Sequence, residues 1–198
     1  MPDEKFPPAL ETERLRLRPM ELSDAADIFE YASDEENVRD MLFDAHANIY
    51  DTINFLSGER IKYDNKACYD YAIILKDTGK LIGTGGVFEA DKLPHSANIG
   101  YILNKKYWGK GYATEAMTAV VNFCFNVLRV RRVEAWHIAE NEKSGIVMKK
   151  LGMVYEGTKV DGLYLKGAYR TMVMYGLIRD AWAESICPDQ EGRERNGI

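Results

Sequence analysis

The stretch Lys106-Tyr107-Trp108-Gly109-Lys110-Gly111-Tyr112-Ala113-Thr114 carries the clearest chemistry in this 198-residue chain. An apolar run, 98–103, precedes it and reads as a buried strand. Behind it, Ala113, Ala116, Met117, Val120, Val121, Cys124, Val127 and Leu128 recur at helical spacing. A strand, a glycine-bearing loop and a helix start form an anion site. Gly109 and Gly111 can turn amides where a Cβ would obstruct. The first amides of a helix have no internal partner, and the helix dipole favours negative charge there. Lys106 and Lys110 add positive charge. The alternative is an ordinary strand-to-helix turn capped by Thr114. The spacing is neither G-x-x-x-x-G-K-[ST] nor a complete G-x-G-x-x-G, because Thr114 occupies the third glycine position.

Few other residues have chemistry to offer. Residues 132–139 alternate, with Val133, Ala135 and His137 on one face and Glu134, Trp136 and Ile138 on the other. A histidine titrates in the range a general base needs, so His137 is a candidate. Asn141 and Ser144 open a short helix that Gly152 ends. Cys68, Cys124 and Cys187 are far apart with no C-x-x-C, and the three histidines are scattered. No metal site is expected. Cys124 lies on the apolar helix stripe and reads as core.

Composition bounds the rest. Hydrophobic content of 46% and charged content of 29% are those of one globular domain. The net charge of -5 argues against a nucleic-acid partner and is compatible with cationic acceptors such as amines. The start of the chain lacks a signal pattern, and no apolar run approaches the ~18 residues of a membrane span. A reducing cytoplasm is the expected compartment, without membrane attachment.

The elements that must position these residues follow in order. Residues 1–9 read as a loose lead-in, 10–186 as the domain and 187–198 as a disordered tail. Leu15 and Leu17 alternate with arginines as a first strand. Ser23-Asp24 caps a helix through Ala32. The acidic run 34–36 reads as a solvated helix start or loop. A second helix over 51–63 turns Ile53, Phe55, Leu56 and Ile61 inward. A hairpin pairs 69–76 with 81–88, and Gly83, Gly85 and Gly86 either invite close approach of backbone or ligand or mark a bulged or edge-kinked strand. Gly100 signals a bulge in the strand 97–103. Strands over 153–158 and 169–178 and a helical turn over 179–185 close the domain. Helices separate 97–103 from 132–139, so those strands run parallel in one mixed, mostly antiparallel α/β sheet. About seven strands and about four helices are expected.

Taken with its loop, this order resembles the GNAT superfamily of N-acetyltransferases over about residues 10–185. The family's pyrophosphate loop reads Gln or Arg, two residues, Gly, one residue, Gly or Ala. Here Gly109 and Gly111 match and Lys106 is a charge-preserving departure. The Tyr-Ala-Thr-Glu-Ala that follows is similar to the branch containing ribosomal-protein alanine N-acetyltransferases. Asn141-x-x-Ser144, Leu151-Gly152-Met153 and Glu156-Gly157 resemble the same branch, with Met153 in place of Phe. Gly167-Ala168-Tyr169-Arg170, Val173, Tyr175 and Trp182 resemble its closing strand and helix, with Thr171 where Asp is common.

The resemblance implies acetyl-coenzyme A as co-substrate. Its pantetheine would lie between splayed parallel strands, on peptide groups of Gly100, Tyr101, Ile102 and Leu103. Trp108, Gly109, Lys110, Gly111, Tyr112, Ala113 and Thr114 would hold the pyrophosphate, and Asn141 and Ser144 would touch the arm. The family's proton-donating Tyr falls at Met148, which cannot donate, so Ser144 is the substitute. The base positions of relatives fall at Asn98, Trp136 and Leu163, none of them a base. Asp161 would share the face of Leu163 in a regular strand. Glu89, Glu134 and His137 are the other candidates. The acceptor would be a protein N-terminal amine, with a polyamine or amino-bearing antibiotic as the alternative. A coenzyme A-binding scaffold without activity is the reading from another class. Neither monomer nor homodimer is fixed.

Overall fold

The computed structural model describes residues 6–89 and 95–186. Within them a single eight-stranded sheet is formed by β1 (Leu10–Glu11), β2 (Leu15–Arg18), β3 (Tyr69–Leu75), β4 (Leu81–Glu89), β5 (Ser96–Leu103), β6 (Arg132–Ile138), β7 (Val154–Leu165) and β8 (Ala168–Ile178). The spatial order is β1-β2-β3-β4-β5-β6-β8-β7, and only β5 and β6 run parallel. The helices are α1 (Ala25–Ala32), α2 (Glu35–Val38), α3 (Ile49–Asp64), α4 (Tyr112–Asn126), α5 (Glu142–Lys150) and α6 (Arg179–Ile186). The mixed α/β class is as expected. The additional elements are short, namely the two-residue β1 and the four-residue α2 that Asp34 caps. Sequence periodicity cannot register elements this brief, since neither is long enough to repeat its pattern. None of the described helices is long and apolar enough to cross a membrane. The expected tail 187–198 and residues 1–5 lie outside the described residues.

Two cores sandwich the sheet. One face packs against α4, α5 and α6 through Met117, Val120, Cys124, Met148 and Trp182. The other packs against α1 and α3 through Ile28, Tyr31, Leu56 and Tyr63. Each fully buried Val, Leu or Ile contributes roughly 1.5–3 kcal/mol. The α4 stripe is as spaced in the sequence, except that Val127 follows the helix end and is exposed.

Helix α3 departs from its expected inner face. Thr52, Leu56, Glu59 and Tyr63 are buried, whereas Phe55 and Ile61 are exposed. The buried set recurs at i, i+4, i+7 and i+11, a regular stripe that includes two polar residues. Counting apolar residues alone therefore selects the wrong face.

The bulge lies on β4 rather than at Gly100. Val87 pairs with Ile99 and Glu89 with Asn98, which leaves Phe88 as the extra residue. A Cβ at Gly100 would run into the Phe88 ring, so the glycine makes room for the bulged side chain. At the β4 glycines backbone approaches closely, and the strand's bulge against β5 lies beyond them, at Phe88. A Cβ at Gly83 would meet the carbonyl of Ile102, and one at Gly86 the carbonyl of Tyr69.

Candidate functional site

The parallel pair β5–β6 is joined only at its beginning, Ser96 with Arg132, Ala97 with Val133 and Asn98 with Glu134. Beyond that row β5 continues to Leu103 with β4 as its partner, and β6 continues to Ile138 with β8 as its partner. A gap therefore opens in the sheet between 99–103 and 135–138. Strand backbone facing such a gap presents peptide groups that need partners.

At the open end of β5 the chain turns through Lys105–Tyr107 into the glycine loop and then α4. Gly109 and Gly111 have φ of 74° and 82°, which a side chain with a Cβ adopts only under strain. Gly111 is the N-cap of α4, in place of the Thr114 alternative, and has no side chain with which to cap. Among the described residues, no acceptor faces the amides from Gly109 to Thr114. The first helical closure is Glu115 N–H to the carbonyl of Gly111 at 3.0 Å. Six consecutive amides without an acceptor thus lie at the positive end of a fifteen-residue helix.

The loop is fixed from both sides. Trp108 Nε1 donates to the carbonyl of Leu103 at 2.9 Å, and Asn37 Nδ2 donates to the same oxygen at 3.2 Å. Asn104, buried, accepts from the Lys106 amide and donates to Glu30. Glu115 Oε2 holds the Arg14 guanidinium at 2.6 Å, and Arg14 Nη1 donates to the carbonyl of Lys110 at 3.1 Å. The expected contribution of Lys106 to anion binding is corrected here. Its Nζ lies 2.6 Å from Glu30 Oε1. Lys106 and Lys80 together draw the Glu30 carboxyl down to about 2. Lys110 instead lies over the Tyr107 ring at 5.2 Å, and Lys143 of α5 lies over the Trp108 ring at 4.6 Å.

On the far side of the gap, α5 begins at the end of β6. Asn141 caps it, with Oδ1 accepting from the Ser144 amide at 3.4 Å. That acceptor is engaged by the helix, which leaves the donor end of the Asn141 amide for any other partner. Ser144 is half-buried in the first turn, and Met148 one turn on is buried. Burial pushes the Tyr101 phenol up, and the Ser144 side chain beside it acts in the opposite sense.

The other sequence candidates do not join this group. His137 is 8% exposed, its Nδ1 at 2.8 Å from the carbonyl of Ile138. A Cβ at Gly145 would lie 2.7 Å from His137 Nε2, and Tyr175 stacks on the ring at 5.8 Å. The imidazole is a packing residue beneath α5 with no room for an amine at its nitrogens. The regular strand that Asp161 required is absent. The β7–β8 register shifts between Lys159 and Leu163, and Asp161 sits in that bulge with φ of 52°, exposed. Glu134 is held by Arg132 at 2.6 Å. The side chain of Glu89 lies outside the described residues.

One cluster escaped sequence reasoning. Glu59, Cys68 and Asp70 bring ligating atoms within 4.8 Å of one another. Burial, then the charge of Glu59, push the Asp70 carboxyl up to about 7, and its Oδ1 is buried without a hydrogen-bond partner. Lys62 Nζ holds Glu59 Oε1 at 2.6 Å. The signal that could have found it is the polar member, Glu59, on the stripe Thr52, Leu56, Tyr63.

Comparison with known proteins agrees with this geometry. A family model described as an acetyltransferase (GNAT) domain matches residues 14–154. The uncharacterized N-acetyltransferase p20 of Bacillus licheniformis is 32% identical over 177 residues, 88% of this chain and 98% of that protein. The ribosomal protein uS5-alanine N-acetyltransferase of Escherichia coli is 31% identical over 88 residues, 44% of this chain and 45% of that protein. The crystal structure of a ribosomal-protein-S5-alanine acetyltransferase from Vibrio fischeri superposes with a TM-score of 0.74 at 26% identity, covering 88% of this chain and 98% of that one.

Proposed function

The chain belongs to the GNAT acetyltransferase family, and on that premise we propose that it transfers the acetyl group of acetyl-coenzyme A to a protein N-terminal amine. The family uses acetyl-coenzyme A as its donor. The observation that carries the reading is the pairing of an open gap between β5 and β6 with a row of unpartnered amides at its mouth. Those two features match the two ends of the donor. A diphosphate needs amide donors and a helix terminus, and a pantetheine arm needs unpaired strand backbone.

In this reading the amides from Gly109 to Thr114 hold the diphosphate, with Lys110 adding positive charge. Trp108 shapes the loop. Peptide groups of Gly100, Tyr101, Ile102 and Leu103 pair with the arm, except that the Leu103 carbonyl already has two donors. When bound, the donor supplies a thioester. A strand amide near Ile102 hydrogen-bonds the carbonyl oxygen as charge develops on it. The Ser144 hydroxyl donates to the sulfur. Confinement of acceptor and thioester in one gap supplies the proximity term.

The acceptor class follows from the proton. His137 is packed beneath α5 and Asp161 lies exposed in the β7 bulge rather than on the face of Leu163, so an acceptor that is already partly neutral needs the least assistance. An α-amine with a pKa of about 7.7–8.0 is roughly a tenth neutral at pH 7, whereas a lysine-type amine near 10.4 is neutral in roughly one molecule in 2,500. The names of the Escherichia coli and Vibrio fischeri relatives point to the same class. The test is mass spectrometry after incubation with isotopically labelled acetyl-coenzyme A and matched acceptors. These are peptides with a free N-terminus, N-blocked peptides with a free lysine, polyamines and amino-bearing antibiotics. Label on the free N-termini is expected. Label confined to polyamines or antibiotics would overturn the acceptor assignment and leave the small-amine alternative.

A further inference from the structure

One guanidinium holds the glycine loop from behind. Arg14, just ahead of β2, donates from Nε to Glu115 Oε2 at 2.6 Å, and its Nη2 lies 2.6 Å from the same oxygen. The remaining nitrogen, Nη1, donates to the carbonyl of Lys110 at 3.1 Å. The Tyr112 ring covers a face of the group, with Cζ 4.5 Å from the ring centroid. Glu115, in the first turn of α4, is held in turn through Oε1, which accepts from Thr12 Oγ1 at 2.6 Å and from the Arg14 amide at 2.8 Å. All three guanidinium nitrogens are thus fixed. We infer that Arg14 is a positioning residue for donor binding: by holding the Lys110 carbonyl on its own side of the loop, it aims the Gly111 N–H at the bound diphosphate. This rests on the donor placement proposed above.

Direction follows from the peptide plane. The Lys110–Gly111 bond is trans, and in a planar trans peptide the C=O and the following N–H point in opposite directions. A carbonyl held toward Arg14 therefore sends the Gly111 N–H away from it, and among the described residues that amide meets no acceptor. Glycine at 111 lets the plane rotate, through its own φ and the ψ of Lys110, at little steric cost. Turned over, the peptide would present its oxygen to the diphosphate, replacing a donor with partial negative charge. The guanidinium lies against this residue, since a Cβ at Gly111 would stand 3.4 Å from Arg14 Nη2. Arg14 also balances the charge of Glu115, which unpaired would oppose a diphosphate at the same helix end. The pair is partly solvated, so it adds little to the stability of the fold. Its effect is on the direction of one peptide.

The experiment compares coenzyme A with pantetheine, which lacks the diphosphate and the nucleotide. Wild type, Arg14→Lys and Arg14→Ala are titrated with coenzyme A by calorimetry and with pantetheine by NMR, and the Gly111 amide resonance is followed with both. Lysine keeps the charge but has no planar fork to hold carboxylate and carbonyl together. Losing one hydrogen bond to a charged group weakens binding by about ten-fold. Arg14→Lys is expected to bind coenzyme A about ten-fold more weakly than wild type and pantetheine within about two-fold. The shift that coenzyme A induces at the Gly111 amide should shrink in the same variant, and Arg14→Ala should bind coenzyme A no better than Arg14→Lys. Wild-type affinity for coenzyme A in Arg14→Lys would overturn the inference, because charge alone would then suffice. Equal losses for the two compounds would also overturn it, because a packing role gives that result. Wild type that binds pantetheine as tightly as coenzyme A would overturn the diphosphate placement itself, and the inference with it.

Discussion

The indole of Trp108 donates to the carbonyl of Leu103 at 2.9 Å, tying the glycine loop to the last residue of β5. Asn37 donates to the same oxygen, and Lys143 lies over the exposed indole face. One side chain thus connects the loop, the open strand and α5. In Trp108→Phe the Leu103 carbonyl keeps Asn37, so the stability loss is about 1 kcal/mol, the worth of one hydrogen bond. The loop loses its tether, and KM for acetyl-coenzyme A should rise several-fold in steady-state assays with kcat less affected. An unchanged KM would show that the loop's position does not depend on the indole.

Gly109 separates backbone strain from ligand repulsion. A Cβ there meets nothing within 4 Å, yet φ is 74°. Gly109→Ala should cost about 1–2 kcal/mol of stability, from the left-handed backbone alone. Gly109→Glu or Gly111→Glu adds a carboxylate beside the proposed diphosphate amides. Calorimetric titration should find coenzyme A affinity much weaker in the Glu variants than in Gly109→Ala, with circular dichroism showing a retained fold. Equal affinity in the two Gly109 variants would count against diphosphate at this loop.

Lys106 and Lys110 flank the loop but face different partners. Lys106 is paired with Glu30, both partly solvated, so the pair contributes about 0–1 kcal/mol. Lys106→Ala should leave coenzyme A affinity within about two-fold, a small effect of the size exposed pairs have. Lys110→Ala should weaken binding and flatten its dependence on salt. Titrations at low and high salt distinguish the two. The reverse order of effects would mean that Lys106 exchanges Glu30 for the ligand.

Asp70 predicts a pH-dependent stability. The native carboxyl holds its proton up to about 7, against an ordinary 3.8 in the unfolded chain. Between those values the native state binds more protons than the unfolded state, so stability falls as pH rises through that window and is level above it. The groups facing Asp70 are Glu59 and Lys62 from α3, Cys68, and Tyr63, whose hydroxyl donates to the Asp70 carbonyl. Urea unfolding at about pH 5 and about pH 8 should show wild type losing on the order of a few kcal/mol, and Asp70→Asn losing much less. Parallel pH dependence in both proteins would place the carboxyl's titration elsewhere.

What the sequence reveals here is local. Residues 112–126 show their helix because the apolar spacing and the glycines before it lie within a few turns of one another. The gap is legible less directly. Alternation in 132–138 and the apolar run 98–103 locate both strands, but where their pairing stops depends on β4, β8 and the Phe88 bulge. The pair Lys106–Glu30 joins residues 76 positions apart in the chain, beyond the reach of any spacing rule. Asp161 leaves the face of Leu163 because a bulge breaks the period-two alternation. Glu59 is invisible to apolar spacing because a buried carboxylate contributes nothing to an apolar count.

The proposed placement puts the donor's diphosphate on the amides of residues 109–114 and its arm in the gap between β5 and β6. Amide-resolved NMR of the labelled protein during a coenzyme A titration tests it most directly. The largest shifts are expected at Gly109–Thr114, together with shifts along 99–103 and 135–138. Saturable binding that leaves those amides unmoved and shifts another surface would contradict it.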